Sequence, residues 1–441
     1  MLRLFGADRC FVRGEGTHLF DASGREFLDC WAQYGVLALG HNPPSVVGAL
    51  REAFTRGEPA FLQPYRAPHA EELAEQLVRR APAGIAHCLF TNSGAETVET
   101  ALKLSRVATG KTTVLSAEGS YHGSTFGAMG ATGQPEYREG FGPLPGGFDT
   151  VPYGDAAALE AKFVQGRGQI AAFIVEPIQG QRGGHAPPTG YLSKVRELCT
   201  QHDVMLIVDE VQTGLGRTGT LFACEQERVS PDLLLVAKPL GGGIFPIGAC
   251  LISERHWRHD FGFRHLSTFS NNNLACRAGL AALTEIDALL PKLPAKGKHL
   301  ASALEGLARR HPNSVRETRS RGFLAALDVK LSSAHDGVRL FSFLQQHGLL
   351  ATAVAAVVAE TASVLVLPAV GSANVIRFLP ALTMTESELD RGVEGLDRAL
   401  TILERGSPEE FLRSLGLPLG PDAFVEMAAS MLFPPTAASA G

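Results

Sequence analysis

Between about Leu89 and Ile252, short runs of Val, Ile and Leu bounded by Gly, Pro or Asp alternate with stretches whose apolar residues recur at helical spacing. That cadence predicts a mainly parallel sheet covered by helices, an α/β fold. Ala171 to Val175, Val204 to Val208 and Leu233 to Ala237 are the clearest strands, and Thr113 to Ser116 reads as another. The first three are apolar at consecutive rather than alternating positions, as strands buried on both faces must be. Leu192, Val195, Leu198 and Cys199 repeat at helical spacing and predict a crossover helix. Beyond about residue 290 the cadence yields to longer helices with fewer strands, Val375 to Phe378 among them. A second, smaller domain is expected there.

The 441 residues leave room for two or three domains, and 45% hydrophobic with 19% charged residues is ordinary globular usage. The charge of −5, from 45 acidic and 40 basic residues without a Lys/Arg run, gives no footprint for a nucleic-acid partner. Cysteines at 10, 30, 88, 199, 224, 250 and 276 form no C-x-x-C pair and are odd in number, so neither a disulfide framework nor a structural zinc site is expected. The N-terminus lacks an apolar signal core, and the most apolar stretch, Leu349 to Val370, is broken by Glu360 and Pro368. No membrane span is expected, and the reading is a cytoplasmic protein.

Three apolar runs end in charge: Glu176, the pair Asp209 and Glu210, and Lys238. In an open α/β sheet, ligands bind in the crevice beyond the carboxyl ends of the strands, so these charges converge on one place. Lys238 precedes Pro239-Leu240-Gly241-Gly242-Gly243, a run that lets backbone approach a ligand closely. A lysine with a pKa of about 10.4 is a poor nucleophile until desolvation or a nearby charge lowers it, and a crevice supplies both. The chemistry that most often needs such a residue is Schiff-base formation with pyridoxal phosphate.

That cofactor needs an anion beside its ring nitrogen, backbone donors for its phosphate and a surface for its ring. Asp209 is the candidate anion. A metal shared with Glu210 is disfavoured, because adjacent strand residues point to opposite faces, and no metal is expected. For the phosphate, Leu89 to Glu96 runs from a strand into a helix with Val98, Ala101, Leu102 and Leu104 on its apolar face. Asn92 or Ser93 caps that helix, Gly94 allows close approach, and its first amides form an anion site. Tyr121, after the Thr113 strand, offers the ring surface, while His122 alone indicates neither a metal nor a base. His256 and His259 read as surface residues. Gly214 to Gly219 matches G-x-G-x-x-G, but it neither follows its strand directly nor opens a long helix. A nucleotide-dependent oxidoreductase is thus the alternative from another class.

Taken together, these residues resemble the class III (omega/ornithine-type) aminotransferases, a pyridoxal-phosphate family of fold type I. The most specific stretch runs from Leu206-Ile207-Val208-Asp209-Glu210-Val211-Gln212-Thr213-Gly214 through Gly216-Arg217-Thr218-Gly219 to Lys238. Likeness extends from about Gly14 to Thr383 and includes Tyr121-His122-Gly123, Glu176-Pro177-Ile178-Gln179-Gly180 and Arg377-Phe378-Leu379-Pro380. The expected organisation is an N-terminal segment (1–48) joining a small domain at 291–433 and a large cofactor domain at 49–290, and the tail at 434–441, with nothing to pack, is expected to fray.

The resemblance implies that Lys238 carries the Schiff base, Asp209 pairs with the ring nitrogen and Gln212 bonds the ring 3-oxygen. Glu176 would orient Gln212, Tyr121 would stack on the ring with His122 beside it, and Ser93, Gly94 and Ala95 would hold the phosphate. Thr268 would reach that phosphate from a second subunit, so a homodimer with composite sites is implied. Tyr34 and Trp31 match substrate-facing segments, and Arg377 resembles the arginine that grips the carboxylate of glutamate or 2-oxoglutarate. Gln181 stands where ornithine-type members commonly carry a glutamate; it can hydrogen-bond but cannot neutralise Arg377. The implied reaction moves an amino group between a primary amine and a keto acid. A racemase, epimerase or aminomutase is the alternative within the cofactor class.

Overall fold

The computed structural model describes residues 8–369 and 372–432, so the expected tail at 434–441 lies outside the described residues. The chain divides into two compact units, Gln33–Ala295 and Met1–Ala32 with Lys296–Gly441. The N-terminal contribution to the smaller unit stops at Ala32 rather than at residue 48. The physical reason is helix Pro44–Thr55, whose Val46, Leu50 and Ala53 join Leu274 and Ala278 in the core of the larger unit. The second division falls after Ala295 rather than after residue 290.

In the larger unit, β1 (Ile85–Thr91), β2 (Thr113–Ala117), β3 (Phe148–Val151), β4 (Ile170–Val175), β5 (Met205–Asp209), β6 (Leu233–Val236) and β7 (Gly248–Ser253) form a seven-stranded sheet. Its order is β1-β7-β6-β5-β4-β2-β3. Every pairing from β6 across to β3 is parallel, while β7 is antiparallel to both neighbours. The link 237–247 carries only the short turn Lys238–Gly241 and no crossover helix, so the chain can return only antiparallel. Since β7 opposes both β1 and β6, all the other strands point their carboxyl ends to one edge.

Every residue of β4, β5 and β6 is buried. Their alternate side chains feed two cores. Leu206, Val208, Leu234 and Val236 join Val195 and Leu198 of helix Tyr191–Gln201, the expected crossover, while Ile207, Leu233 and Leu235 join Val98, Ala101 and Leu104 of helix Gly94–Thr109. A fully buried Leu or Val stabilises by about 1.5–3 kcal/mol, and filling both faces leaves polar residues only the strand ends.

Among the described residues, the smaller unit holds two four-stranded sheets. One joins Phe11–Glu15, His18–Asp21 and Glu26–Asp29 to Val364–Leu365; the other joins Val315–Arg321, Leu324–Val329, Val375–Phe378 and Leu367–Pro368. The Val315–Arg321 strand was not anticipated, because this edge strand is polar at nearly every position and has no apolar alternation to read. Most of the apolar stretch from Leu349 forms helix Leu350–Ala362, buried through Ala353, Val354, Val357 and Val358. Among the described residues, no single helix is long and apolar enough to cross a membrane.

Beyond β2 the chain is tied back on itself: Gly133 N donates to Ser120 O at 3.0 Å, and Gly119 N donates to Gly133 O at 3.0 Å. A Cβ at Gly133 would lie 2.1 Å from Ala117 O, whereas one at Gly146 would meet nothing within 4 Å. Gly133→Ala is therefore expected to cost about 2 kcal/mol or more in urea unfolding, and Gly146→Ala under about 0.5 kcal/mol. Equal stabilities for the two variants would contradict this packing.

Candidate active site

A cavity of about 600 Å³ opens at the carboxyl edge of the sheet, the size of a small-molecule site. Most of its walls are segments that follow strands. Asn92 to Ala95 come after β1, Tyr121 to Thr125 after β2, Glu176 and Gln181 after β4, Val211 and Gln212 after Asp209 of β5, and Ala237 with Lys238 after β6. Lys238 adopts φ +30°, a left-handed conformation that costs a non-glycine residue about 1–3 kcal/mol and collects at functional positions.

Ser93 is the N-cap of helix Gly94–Thr109, its Oγ accepting from Glu96 N at 3.1 Å, while Asn92 donates its amide and Nδ2 to Glu96 Oε2. The remaining first-turn amides face an end of positive helix dipole suited to a phosphate. Glycine is required at 94, where a Cβ would stand 2.7 Å from Val211 Cγ1.

Asp209 is buried at the end of β5 and spends one oxygen on each of two donors: His122 Nδ1 lies 2.7 Å from Oδ2, and Val211 N donates to Oδ1 at 3.0 Å. Its neighbour Glu210 points elsewhere and accepts the Ala223 and Cys224 amides at 2.6 and 2.8 Å, so the two carboxylates share no ligand. Among the described residues, no group of three His, Cys, Asp or Glu side chains forms a metal set. Glu176 accepts Tyr121 N at 3.0 Å and Gly180 N at 3.2 Å. Burial pushes its carboxyl up to about 7, with His122 opposing that rise and Asp209 adding to it.

Glu176 is expected to orient Gln212, but the structure shows no direct hydrogen bond between them: the two Glu176 oxygens accept the Tyr121 and Gly180 amides. A Cβ at Gly180 would fall 1.8 Å from Gln212 Oε1, so the two segments are in close contact, and Gln212 Nε2 donates to Tyr34 O at 3.2 Å. Lys238, Asp209, Ser93, Gly94, Ala95, Tyr121, His122, Glu176, Gln212 and Gln181 are brought together around the cavity. Thr268 is not; it is exposed and lines another cavity with Gln63, Tyr65 and Ser267. Tyr34, 41% exposed with φ +62°, offers its carbonyl, and Val36 lines the cavity in its place. Trp31 and the buried Arg377, on strand Val375–Phe378, belong to the smaller unit.

Val211 was missed although it shares the strand-end face of Asp209 by its i, i+2 spacing. The Gly214 to Gly219 segment forms successive turns, not a helix. These turns hold the fully buried Arg217, whose Nη2 donates to Gly35 O at 3.2 Å and whose pKa burial lowers to about 10. The dinucleotide reading therefore fails on structure.

The donor set fits pyridoxal phosphate: a lysine, a buried carboxylate anchored by a histidine, and helix amides at the other end of one small cavity. Fold and site define a fold type I pyridoxal-phosphate enzyme. The profile of the family Aminotransferase class-III matches residues 6–400, and the chain belongs to that family. It is 42% identical over 334 residues to aminotransferase PigE of Serratia sp., spanning 74% of this chain but 39% of that protein. Among solved structures, an (S)-enantioselective omega-transaminase from Thermomicrobium roseum is 32% identical with a TM-score of 0.80, covering 89% of this chain and 92% of its own. The ornithine aminotransferase of Toxoplasma gondii is 30% identical with a TM-score of 0.77, over 90% and 91% of the two chains.

Burial also pushes Glu210 up to about 7 from an ordinary 4.5. A raised native pKa means the folded state holds the proton more tightly, so the contribution is full below about pH 4.5 and is lost as pH rises to about 7. The stability of the parent relative to Glu210→Gln should therefore fall between about pH 5 and about pH 8 in urea unfolding. A constant gap would refute the raised carboxyl.

Proposed function

We propose that this chain transfers an amino group between a primary amine or amino acid and a keto acid, with pyridoxal phosphate held in the cavity. The observation that carries the reading is the meeting of Lys238, the His122-bound Asp209 and the capped N-terminus of helix Gly94–Thr109 at one sheet edge. Bound there, the cofactor supplies an electron sink for bonds at an amine-bearing carbon. Ser93, Gly94 and Ala95 would hold its phosphate, Tyr121 would cover its ring and Gln212 would bond its ring oxygen. Asp209 would keep a proton on the ring nitrogen, with His122 fixing the carboxylate. Lys238 Nζ would make the covalent attachment and, once freed, would take the proton from the substrate carbon and deliver it to the cofactor's carbon.

The likeness to an omega-transaminase and to an ornithine aminotransferase supports amino transfer as the reaction. From its sequence motif, Arg377 is proposed as the carboxylate anchor for 2-oxoglutarate or glutamate, and Trp31, Tyr34 and Gln181 as substrate-side residues. Gln181 lines the cavity and offers hydrogen bonds without the charge a glutamate would bring. Thr268 is proposed to serve the phosphate of a second copy in a homodimer.

Purified protein should take up pyridoxal phosphate and, after borohydride, carry it covalently on residue 238; Lys238→Ala should not. Asp209→Asn should still bind the cofactor but turn over about 10²-fold more slowly or worse. Near-normal turnover would remove Asp209 from its assigned role. With a panel of amines, product formation should require 2-oxoglutarate or pyruvate and yield glutamate or alanine. Turnover without any keto acid would favour the racemase or aminomutase reading instead.

A further inference from the structure

The segment after helix Phe126–Ala131 folds back on the loop that carries Tyr121. His122 N donates to Thr132 Oγ1 at 3.1 Å, and Gly133 makes the backbone bonds to Gly119 and Ser120 described above. Gln134, itself buried, donates Nε2 to Gly119 O at 3.0 Å. The segment ends in the short turn Pro135–Tyr137, and the Tyr137 ring meets the Tyr121 ring at 4.7 Å between centroids, tilted by 54°. That separation lies within the range in which aromatic pairs attract beyond their buried area. Tyr137 does not line the cavity; Tyr121 does.

Tyr121 needs such a brace. Its loop is irregular, Ser124 to Phe126 beside it are exposed, and an aromatic ring on a loose loop must be ordered whenever a ligand docks against it. Its amide is held by Glu176 and its hydroxyl lies 2.9 Å from Ser124 Oγ, but Ser124 is itself exposed and gives a weak fixed point. The Tyr137 ring is the aromatic neighbour that packs on the Tyr121 ring.

We propose that Tyr137 is a positioning residue for the cofactor, acting through the ring of Tyr121; this rests on the reading above of Tyr121 as the cofactor's ring cover. The experiment is spectrophotometric titration of cofactor-free full-length chain with pyridoxal phosphate, with thermal unfolding of each cofactor-free variant to establish that it folds. Tyr137→Ala, and Tyr137→Leu which keeps most of the volume, should each raise the dissociation constant about fivefold to tenfold, while Tyr137→Phe restores it to within about twofold. In a Tyr121→Ala background, Tyr137→Ala should add no further loss, because the two residues act as one unit.

Parent-like affinity in both Tyr137→Ala and Tyr137→Leu overturns the proposal, and so does an equal loss in the Tyr121→Ala background, which would mark a general structural role. Failure of the parent itself to bind pyridoxal phosphate would instead sink the functional reading on which the proposal rests.

Discussion

A strand buried on both faces has no place for a charge except at its ends, and this constraint organises the larger unit. β4, β5 and β6 are filled on both sides by apolar side chains, so Glu176, Asp209 and Lys238 are forced to the points where the strands stop. Parallel pairing then puts those points on one edge. The cavity needs no separate scaffold. It is the space that remains when polar residues excluded from a shared core are delivered to the same side of a sheet.

Holding charges in such a place requires donors, and here most of them are backbone amides. Glu176 accepts two, Glu210 accepts two, and Asp209 divides its oxygens between one amide and His122. Amides are fixed by secondary structure and turns, so carboxylates bonded to them cannot drift without distorting the chain. The arrangement separates tasks between adjacent residues. Glu210 locks the turn at Ala223 and Cys224, which leaves Asp209 free to face the cavity. Preorganisation of this kind is what an electrostatic site needs, because no reorganisation remains to be done when a ligand arrives.

Much of this was readable from residue order. The central strands and the crossover helix follow from runs of apolar residues, and the cap at Ser93 follows from a polar residue ahead of an apolar helical stripe. Lys238 and Asp209 stood out because charge at the end of an apolar run is unusual. The polar edge strand Val315–Arg321 was unreadable, since it has neither the apolar run of a strand buried on both faces nor the alternation of one buried on a single face. The direction of β7 was equally hidden, because its composition matches that of its parallel neighbours and only the lack of a crossover helix turns it round.

Local order along the chain was enough to say which elements form and which residues must stand at their ends, for periodicity and burial act over a few residues at a time. It could not say which of those ends share a hydrogen bond. Glu176 bonds the Tyr121 and Gly180 amides, and Gln212 bonds the Tyr34 carbonyl, pairings that residue order does not carry. Tyr137 carried no signal at all until the segment before it folded back on the Tyr121 loop. Such pairings depend on distances between segments far apart in sequence, and only the packed chain sets those distances.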